Sequence, residues 1–323
     1  MKLISPKKSK PAKSATRLNR LPKHDGTVNH VRRNWQLYLL VLPAVVYVAI
    51  FCYGPMYGLL IAFKDYKMSL GVHASRWVGL RNFKDFFTGY YFPTLMKNTF
   101  GLSILTLVFS FPIPIIVALI INELSGRLKS FLQTVLYAPH FISTVVLVGM
   151  ITVLFSPSMG VVNTLLNKLG IESHYFMGDP NWFRPLFIGS GIWQNMGWDA
   201  IIYIAALSGI DTGLHEAAEL DGATRMQRII HINLPCIMPT IIILLIMQLG
   251  SIATISYEKV FLMQNDLNLG VSEIISTYVY KRGLVNNNYS FATAVGLFNN
   301  IVNVTMLFIA NTISRKVSET SLF

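Results

Sequence analysis

The chain has 323 residues, 53% of them hydrophobic and only 13% charged, with a formal net charge of +12. Soluble domains carry roughly 25% charged residues, so this composition excludes a soluble globe, and the long apolar runs equally exclude a disordered chain or a disulfide scaffold. The two cysteines, Cys52 and Cys236, lie far apart with neither a C-x-x-C motif nor metal spacing, so they define no redox compartment.

Residues 1–34 form a basic tail in which ten Lys/Arg face one acid, Asp25. The positive charge is therefore concentrated at one end, beside an apolar run that begins at Trp35, and nucleic acid is not an expected partner. The tail is too long and too polar for a signal-peptide n-region. Abutting a first span, it predicts a cytoplasmic N-terminus.

A helix crossing the hydrocarbon needs about 20 apolar residues. Six segments meet that length: 35–63, 99–121, 131–155, 186–209, 238–257 and 291–313. Asp199 is the only Lys, Arg, Asp or Glu inside them. Pro43, Pro112, Pro114 and Pro139 fall within spans, where each predicts a kink. The expected fold is all-α: a polytopic membrane protein with six transmembrane helices over 35–313, followed by a cytoplasmic C-terminus at 314–323. The loops then alternate, with 64–98, 156–185 and 258–290 outside and 122–130 and 210–237 inside. Inside segments carry 16 Lys/Arg and outside loops 11, a bias that comes from the tail.

Within the first outside loop, Phe83, Phe86, Phe87 and Tyr90 recur at helical spacing, with Arg81, Lys84 and Asp85 between them. That predicts an amphipathic helix, either lying in the membrane interface or packed as a loop helix. The inside loop 210–237 is acidic, with Asp211, Glu216, Glu219 and Asp221 against Arg225 and Arg228. An acidic, helix-prone loop favours a protein partner over lipid headgroups.

Residues 211–235 predict two short helices joined at a glycine. Asp211 or Thr212 caps the first, and Gly222 supplies the backbone freedom that stops it. The second runs to about Ile232, where Leu234-Pro235 ends it. This segment resembles the EAA signature of ABC importer permeases: Glu-Ala-Ala, three residues, Gly, nine residues, Ile-x-Leu-Pro. It is filled without departure at Glu216, Ala217, Ala218, Gly222, Ile232, Leu234 and Pro235. The resemblance implies a type I ABC importer permease fold in which these seven residues couple the membrane helices to an ATPase groove, with Glu216 meeting a basic residue and Gly222 forming the bend. Further likeness to the maltose-type and oligosaccharide branch is spread along the chain. It rests on Trp77-Val-Gly-Leu-Arg-Asn-Phe83, Asn98-Thr99, Trp193-Gln194, Gly197-Trp198 and Tyr289-Ser-x-Ala-Thr-Ala294.

That resemblance implies a permease subunit that moves an oligosaccharide or glycoside across the bacterial inner membrane by alternating access. It implies four kinds of partner: a second, related permease chain, paired ATPase subunits, an external solute-binding protein and membrane lipid. ATP and Mg would be used by the ATPase, because this chain has no G-x-x-x-x-G-K-[ST] loop and no cofactor of its own. His215-Glu216-x-x-Glu219 lacks the second histidine of a zinc-protease motif. No acidic pair or nucleophile motif supports the competing class, a membrane enzyme such as a lipid-linked glycosyltransferase, and neither a channel nor a secondary transporter has a use for the EAA loop. A permease for another solute class remains the nearer alternative.

An ionisable residue at membrane depth is a functional candidate by default, and Asp199 has Trp193, Gln194, Asn195 and Trp198 beside it. Gln248, Ser251, Thr254 and Tyr257 on the fifth span and Asn299, Asn300 and Asn303 on the sixth complete a candidate sugar path. Aromatic faces stack on sugar rings while amides and hydroxyls bond their hydroxyls. The alternative role for each is an interhelical hydrogen bond. The outside loops hold 11 Lys/Arg against seven acids, which favours an anionic solute such as an alginate-type uronate oligosaccharide; Asp199 argues the other way.

Overall fold

A computed structural model describes residues 34–317. All of the basic tail except Asn34, and residues 318–323, lie outside the described residues. The chain divides into two units, Met1–Gly58 and Leu59–Phe323.

In the first unit, helix α1 (Trp35–Val48) buries none of its residues despite its apolar sequence, as a lipid-facing or partner-facing helix does. It continues through a π turn, Ala49–Tyr53, into a 3-10 stretch, Gly54–Phe63, whose residues from Leu59 on belong to the second unit.

The second unit opens with a two-residue antiparallel pairing, Lys64–Asp65 with Arg76–Trp77. Asn82 clips this pairing by donating to the Ala62 and Lys64 carbonyls at 2.8 and 3.1 Å. Helix α2 (Arg81–Phe87) follows and settles the role of the aromatic stripe. Phe86 is 2% exposed, with its ring against Phe92, Phe291 and Phe298. It is a packed loop helix through Phe86, while Phe87, 46% exposed, and Tyr90, beyond its end and 90% exposed, remain on the surface.

The expected second span is α3 (Phe92–Ser110) joined to α4 (Pro112–Asn122), interrupted at Phe111. Asn98 and Thr99 act as ties. Asn98 donates to the Gly270 and Glu273 carbonyls, and Thr99 Oγ1 accepts from the Ile275 N–H at 3.0 Å. The expected continuous third span is instead broken. Helix α5 (Gly126–Tyr137) and its 3-10 extension Ala138–Phe141 meet α6 (Thr144–Leu154) at 97°. Pro139 removes a backbone donor in the 3-10 turn, and Ser143 caps a new helix by accepting from the Val146 N–H.

After α7 (Val161–Lys168) comes the axis of this unit, α8 (Pro180–Ser208), 29 residues long. Asp179 caps it, accepting from the Asn181 N–H at 2.8 Å and from His174 Nε2 at 2.8 Å. Those two contacts, the backbone bond foremost, hold the Asp179 carboxyl below its usual range. Pro180 fits the first helical position, where an N–H has no partner anyway. Helix α8 packs against α3, α4 and α5. Gly197 allows the closest approach: a Cβ there would lie 2.2 Å from the Leu136 carbonyl oxygen.

Helices α9 (Thr212–Leu220) and α10 (Arg225–Arg228) form the loop that carries the EAA residues. The expected stop at Leu234-Pro235 is absent. Helix α10 runs through a π turn, Ile229–Asn233, into α11 (Leu234–Leu249), giving one apolar helix over Arg225–Leu249. Pro235 lacks an N–H and would clash with the carbonyl four residues back in a regular helix; the wider π turn relieves both problems.

The fifth span therefore starts earlier than expected and ends at Leu249, not at 257. Gly250 stops it beneath Leu307, where a Cβ would meet Leu307 Cδ1 at 2.7 Å. Ser256 then caps α12 (Tyr257–Met263). Helix α13 (Ile275–Tyr280) and α14 (Tyr289–Val317) complete the unit.

Three buried clusters hold this unit together. Leu102, Leu147, Phe183, Val260 and Ile274 form the first, Ala118, Ala200, Tyr203 and Ile237 the second, and Phe86, Leu95, Ile275 and Val295 the third. Helix α8 contributes to two of them. Among the described residues, four helices are long and apolar enough to cross a membrane, Trp35–Phe63, Phe92–Asn122, Arg225–Leu249 and Tyr289–Lys316, and the bent α5–α6 pair makes a fifth if it is one span. Helix α8, the expected fourth of six spans, has the length but is less apolar than these.

Candidate functional site

The loop at 211–235 is built from local chemistry. Asp211, rather than Thr212, caps α9, its carboxylate accepting from the Gly213 N–H at 2.9 Å. The helix ends in a Schellman motif: the Gly222 N–H donates to the Glu219 carbonyl and the Ala223 N–H to the Ala218 carbonyl, at 3.1 and 2.9 Å. Gly222 has φ +78°, which a side chain rarely adopts, and nothing lies within 4 Å of a Cβ placed there. The demand for glycine is thus conformational.

Thr224 then starts α10 with a capping box. Gln227 Oε1 accepts from the Thr224 N–H at 2.8 Å, and Thr224 Oγ1 accepts from the Gln227 N–H. Arg228 pairs with Glu219 across the elbow. Sequence reasoning missed both the box and this pair, although T-x-x-Q is a visible capping signal.

Glu216 and Ala217 are exposed on α9, Ala218 is half-buried, and Leu214 and Leu220 stand 47% and 90% exposed beside them. Ile232 and Leu234 are half-buried and Pro235 is exposed at the π turn. The loop thus presents a charged and apolar face with small residues in its centre on α9, and beyond the elbow α10 is continuous with α11.

The second feature is a cavity of about 580 Å³ among α3, α8, the 3-10 turn at His140, the turn after α11, and α12. Gln194, Asn195, Asp199, Gln248, Ser251 and Thr254 line it, six of the twelve residues expected on the path. Ser103, Thr106, Ser110, His140, Ser143, Thr144 and Lys259 add polar groups that the sequence did not single out. Helical spacing on α3 placed Ser103, Thr106 and Ser110 on one face, which was a usable signal. Lys259 carried none, because its loop held other charges.

His140 links the two halves of the wall. Its ring stacks on Trp198 at 4.3 Å and 4°, and its Nδ1 lies 3.0 Å from Asn195 Oδ1. Gln194 donates to the Ile142 carbonyl at 2.8 Å, holding the bent segment against α8.

The remaining expected residues lie elsewhere. Trp193 and Trp198 are 41% and 42% exposed without lining the cavity. Tyr257 packs its ring on Phe261 and Tyr280, and Asn300 is exposed. Asn299 donates to the Ala253 carbonyl at 3.0 Å. Asn303 accepts from the Ala253 N–H at 2.8 Å and donates to Thr254 Oγ1 at 2.7 Å. These two amides tie α14 to the turn after α11 and shape the cavity from behind. Among the described residues, no three His, Cys, Asp or Glu side chains gather as metal ligands.

Comparison with known proteins identifies what these features accompany. The family model described as "Binding-protein-dependent transport system inner membrane component" matches residues 110–319. Protein LplB of Bacillus subtilis (strain 168) is 44% identical over 294 residues, 91% of this chain and 92% of that protein. The polygalacturonan/rhamnogalacturonan transport system permease protein YteP of the same organism is 42% identical over 288 residues, 89% and 90% of the two chains. Among solved structures, a chain of a bacterial alginate ABC transporter, crystallised with an alginate pentasaccharide-bound periplasmic protein, superposes with a TM-score of 0.84. It is 40% identical, and the match covers 92% of this chain and 99% of that one.

Proposed function

This chain belongs to the family of binding-protein-dependent transport system inner membrane components, and from that premise we infer that it is the membrane-spanning subunit of an ATP-driven sugar importer. It is a transport component and not an enzyme; ATP is hydrolysed by a separate subunit. The observation that carries the sugar reading is the cavity of about 580 Å³, walled by hydroxyls and amides and reached by one carboxylate and one ammonium. Its polar groups come from several helices at once, which is how a polyhydroxylated solute is held. One relative is named for polygalacturonan and rhamnogalacturonan and one solved structure for alginate, so the solute class proposed is an acidic oligosaccharide.

The loop at 211–235 is the proposed seat for the ATPase. Glu216 offers a charge, Ala217 and Ala218 allow close approach, and Gly222 sets the elbow. Because α10 continues into α11, a push on this loop moves a membrane helix, and alternating access follows from that lever. One such loop fills one groove, so a second permease subunit is needed to engage a pair of ATPases, and an external solute-binding protein delivers the sugar. In this reading α8 is also a crossing, the fourth in chain order and the one that brings the count to six, its lower apolarity accepted because it faces the cavity rather than lipid. Both termini then lie in the cytoplasm of a bacterial cell, across the inner membrane from the binding protein.

Uptake of labelled oligouronates by the reconstituted complex tests the function. Topology is tested separately by single cysteines. A cysteine replacing Gly126 or Thr224 should label only from the cytoplasm, and one replacing Ala74, Glu172 or Asp266, all exposed, only from outside. External labelling at position 224 would put the EAA loop beyond reach of any ATPase.

A further inference from the structure

Lys259 is 6% exposed and is one of the residues that line the cavity. It donates one hydrogen bond, to the Phe187 carbonyl at 2.8 Å, and lies 4.6 Å from the centre of the Phe187 ring. An ammonium has three donors, so two are not taken up by that bond. Among the described residues no carboxylate lies within ion-pairing distance of it. Asp199, the one acid in the wall, is eight residues beyond Gly191 on α8, roughly 12 Å along the helix axis. Gly191 faces the ammonium directly: a Cβ at that position would come within 3.2 Å of Nζ. The missing side chain therefore lets the ammonium lie close against α8. A buried cation without a counter-ion is expensive, and α12 carries this one to the edge of a solute-sized cavity.

We propose that Lys259 is the specificity-determining residue of the cavity, binding the carboxylate of a uronate unit while the neighbouring hydroxyl and amide groups take the sugar hydroxyls. A carboxylate entering from the cavity would accept the two remaining N–H groups and supply the missing negative charge. Lys259 thus sets apart an acidic saccharide from a neutral one of the same size, whose hydroxyls cannot neutralise it. This inference rests on the reading of the chain as a sugar permease and of the cavity as part of its path.

The test compares short oligogalacturonates and oligomannuronates with their carboxyl-reduced, neutral counterparts, using the complete complex in proteoliposomes. Wild type, Lys259→Gln and Lys259→Arg are measured with each probe, alongside the melting temperature of each assembled complex. Loss of a hydrogen-bonded charge partner should raise KM for the acidic probes about tenfold or more in Lys259→Gln. The neutral probes should lose nothing or gain, and Lys259→Arg should keep most of the acidic preference. If wild type transports the acidic probes and Lys259→Gln changes KM for both kinds equally, or only lowers the melting temperature, the specificity role is overturned. If the wild-type complex transports neither kind of probe, it is the sugar-permease reading that fails.

Discussion

In the loop at 211–235 the contacts that shape the chain are short-range: the longest, Glu219 with Arg228, spans nine positions. The cavity is assembled the other way, with Ser103 Oγ bonded to the Ile252 carbonyl 149 positions away. A loop folded by caps and a glycine turn can be changed without disturbing the helices around it. A cavity wall cannot, because most residues that face it share a helix with residues that hold the core. Variants in the loop should therefore alter coupling at nearly constant stability, whereas variants along α8 should mix function with stability.

The largest expected effect breaks the cavity side through packing. In Gly197→Leu the new side chain begins where the Leu136 carbonyl already sits. Forcing α5 away from α8 should cost about 3 kcal/mol, the upper end of overpacking effects, and should show as a lower melting temperature and reduced yield of assembled complex. An unchanged melting temperature would mean that α5 and α8 do not meet there.

Next comes the loop. Gly222→Val must hold a β-branched residue in the left-handed region, a local penalty of about 1–2 kcal/mol. Glu216→Lys reverses an exposed charge on α9. Each should reduce transport per ATP hydrolysed, or co-purification of the ATPase, by about tenfold, while membrane insertion and the permease melting temperature stay close to wild type. Full transport by both variants would remove the coupling role.

Asp199→Asn sharpens the comparison, because this residue sits on the structural helix yet opens onto the cavity. As a path residue it should shift KM by a few-fold or change substrate preference. As a helix tie it should lower the melting temperature and leave preference alone. Measuring both on one preparation separates the roles.

The smallest effect lies at the start of α8. The Asp179 carboxyl is held below its usual range by the Asn181 N–H and by His174. A depressed carboxyl stabilises the folded state above the unfolded carboxyl value, about 3.9, and that contribution fades as pH falls through the lower folded value. Asp179→Asn keeps an acceptor for the cap but loses the charge. Its melting temperature should be below wild type at pH 7, and the gap should close as the pH is taken below about 4. A gap that persists in acid would assign the difference to packing.

Where the chain could be understood from residue order, the governing interactions were local or compositional. Apolar runs of membrane length identified a polytopic helical protein, since burying unpaired backbone in lipid leaves a helix few alternatives. The Glu216-Ala217-Ala218, Gly222 and Pro235 spacing identified the family, because a cap, an elbow and a helix start are written within one short segment. Helix continuity was harder. Pro235 and Pro139 look alike in sequence, yet one is absorbed by a π turn and the other sits at a 97° bend.

The division within the polar residues was decided by tertiary structure alone. Gln194, Asn195 and Asp199 face the cavity while Asn299 and Asn303 bond the turn at Ala253–Thr254. An amide's role depends on what the neighbouring helix presents to it, and that is fixed by packing between segments far apart in the chain. The same is true of Lys259. Its sequence neighbours make it one more loop charge, and only the fold places it, buried and without a carboxylate partner among the described residues, at the wall of the cavity.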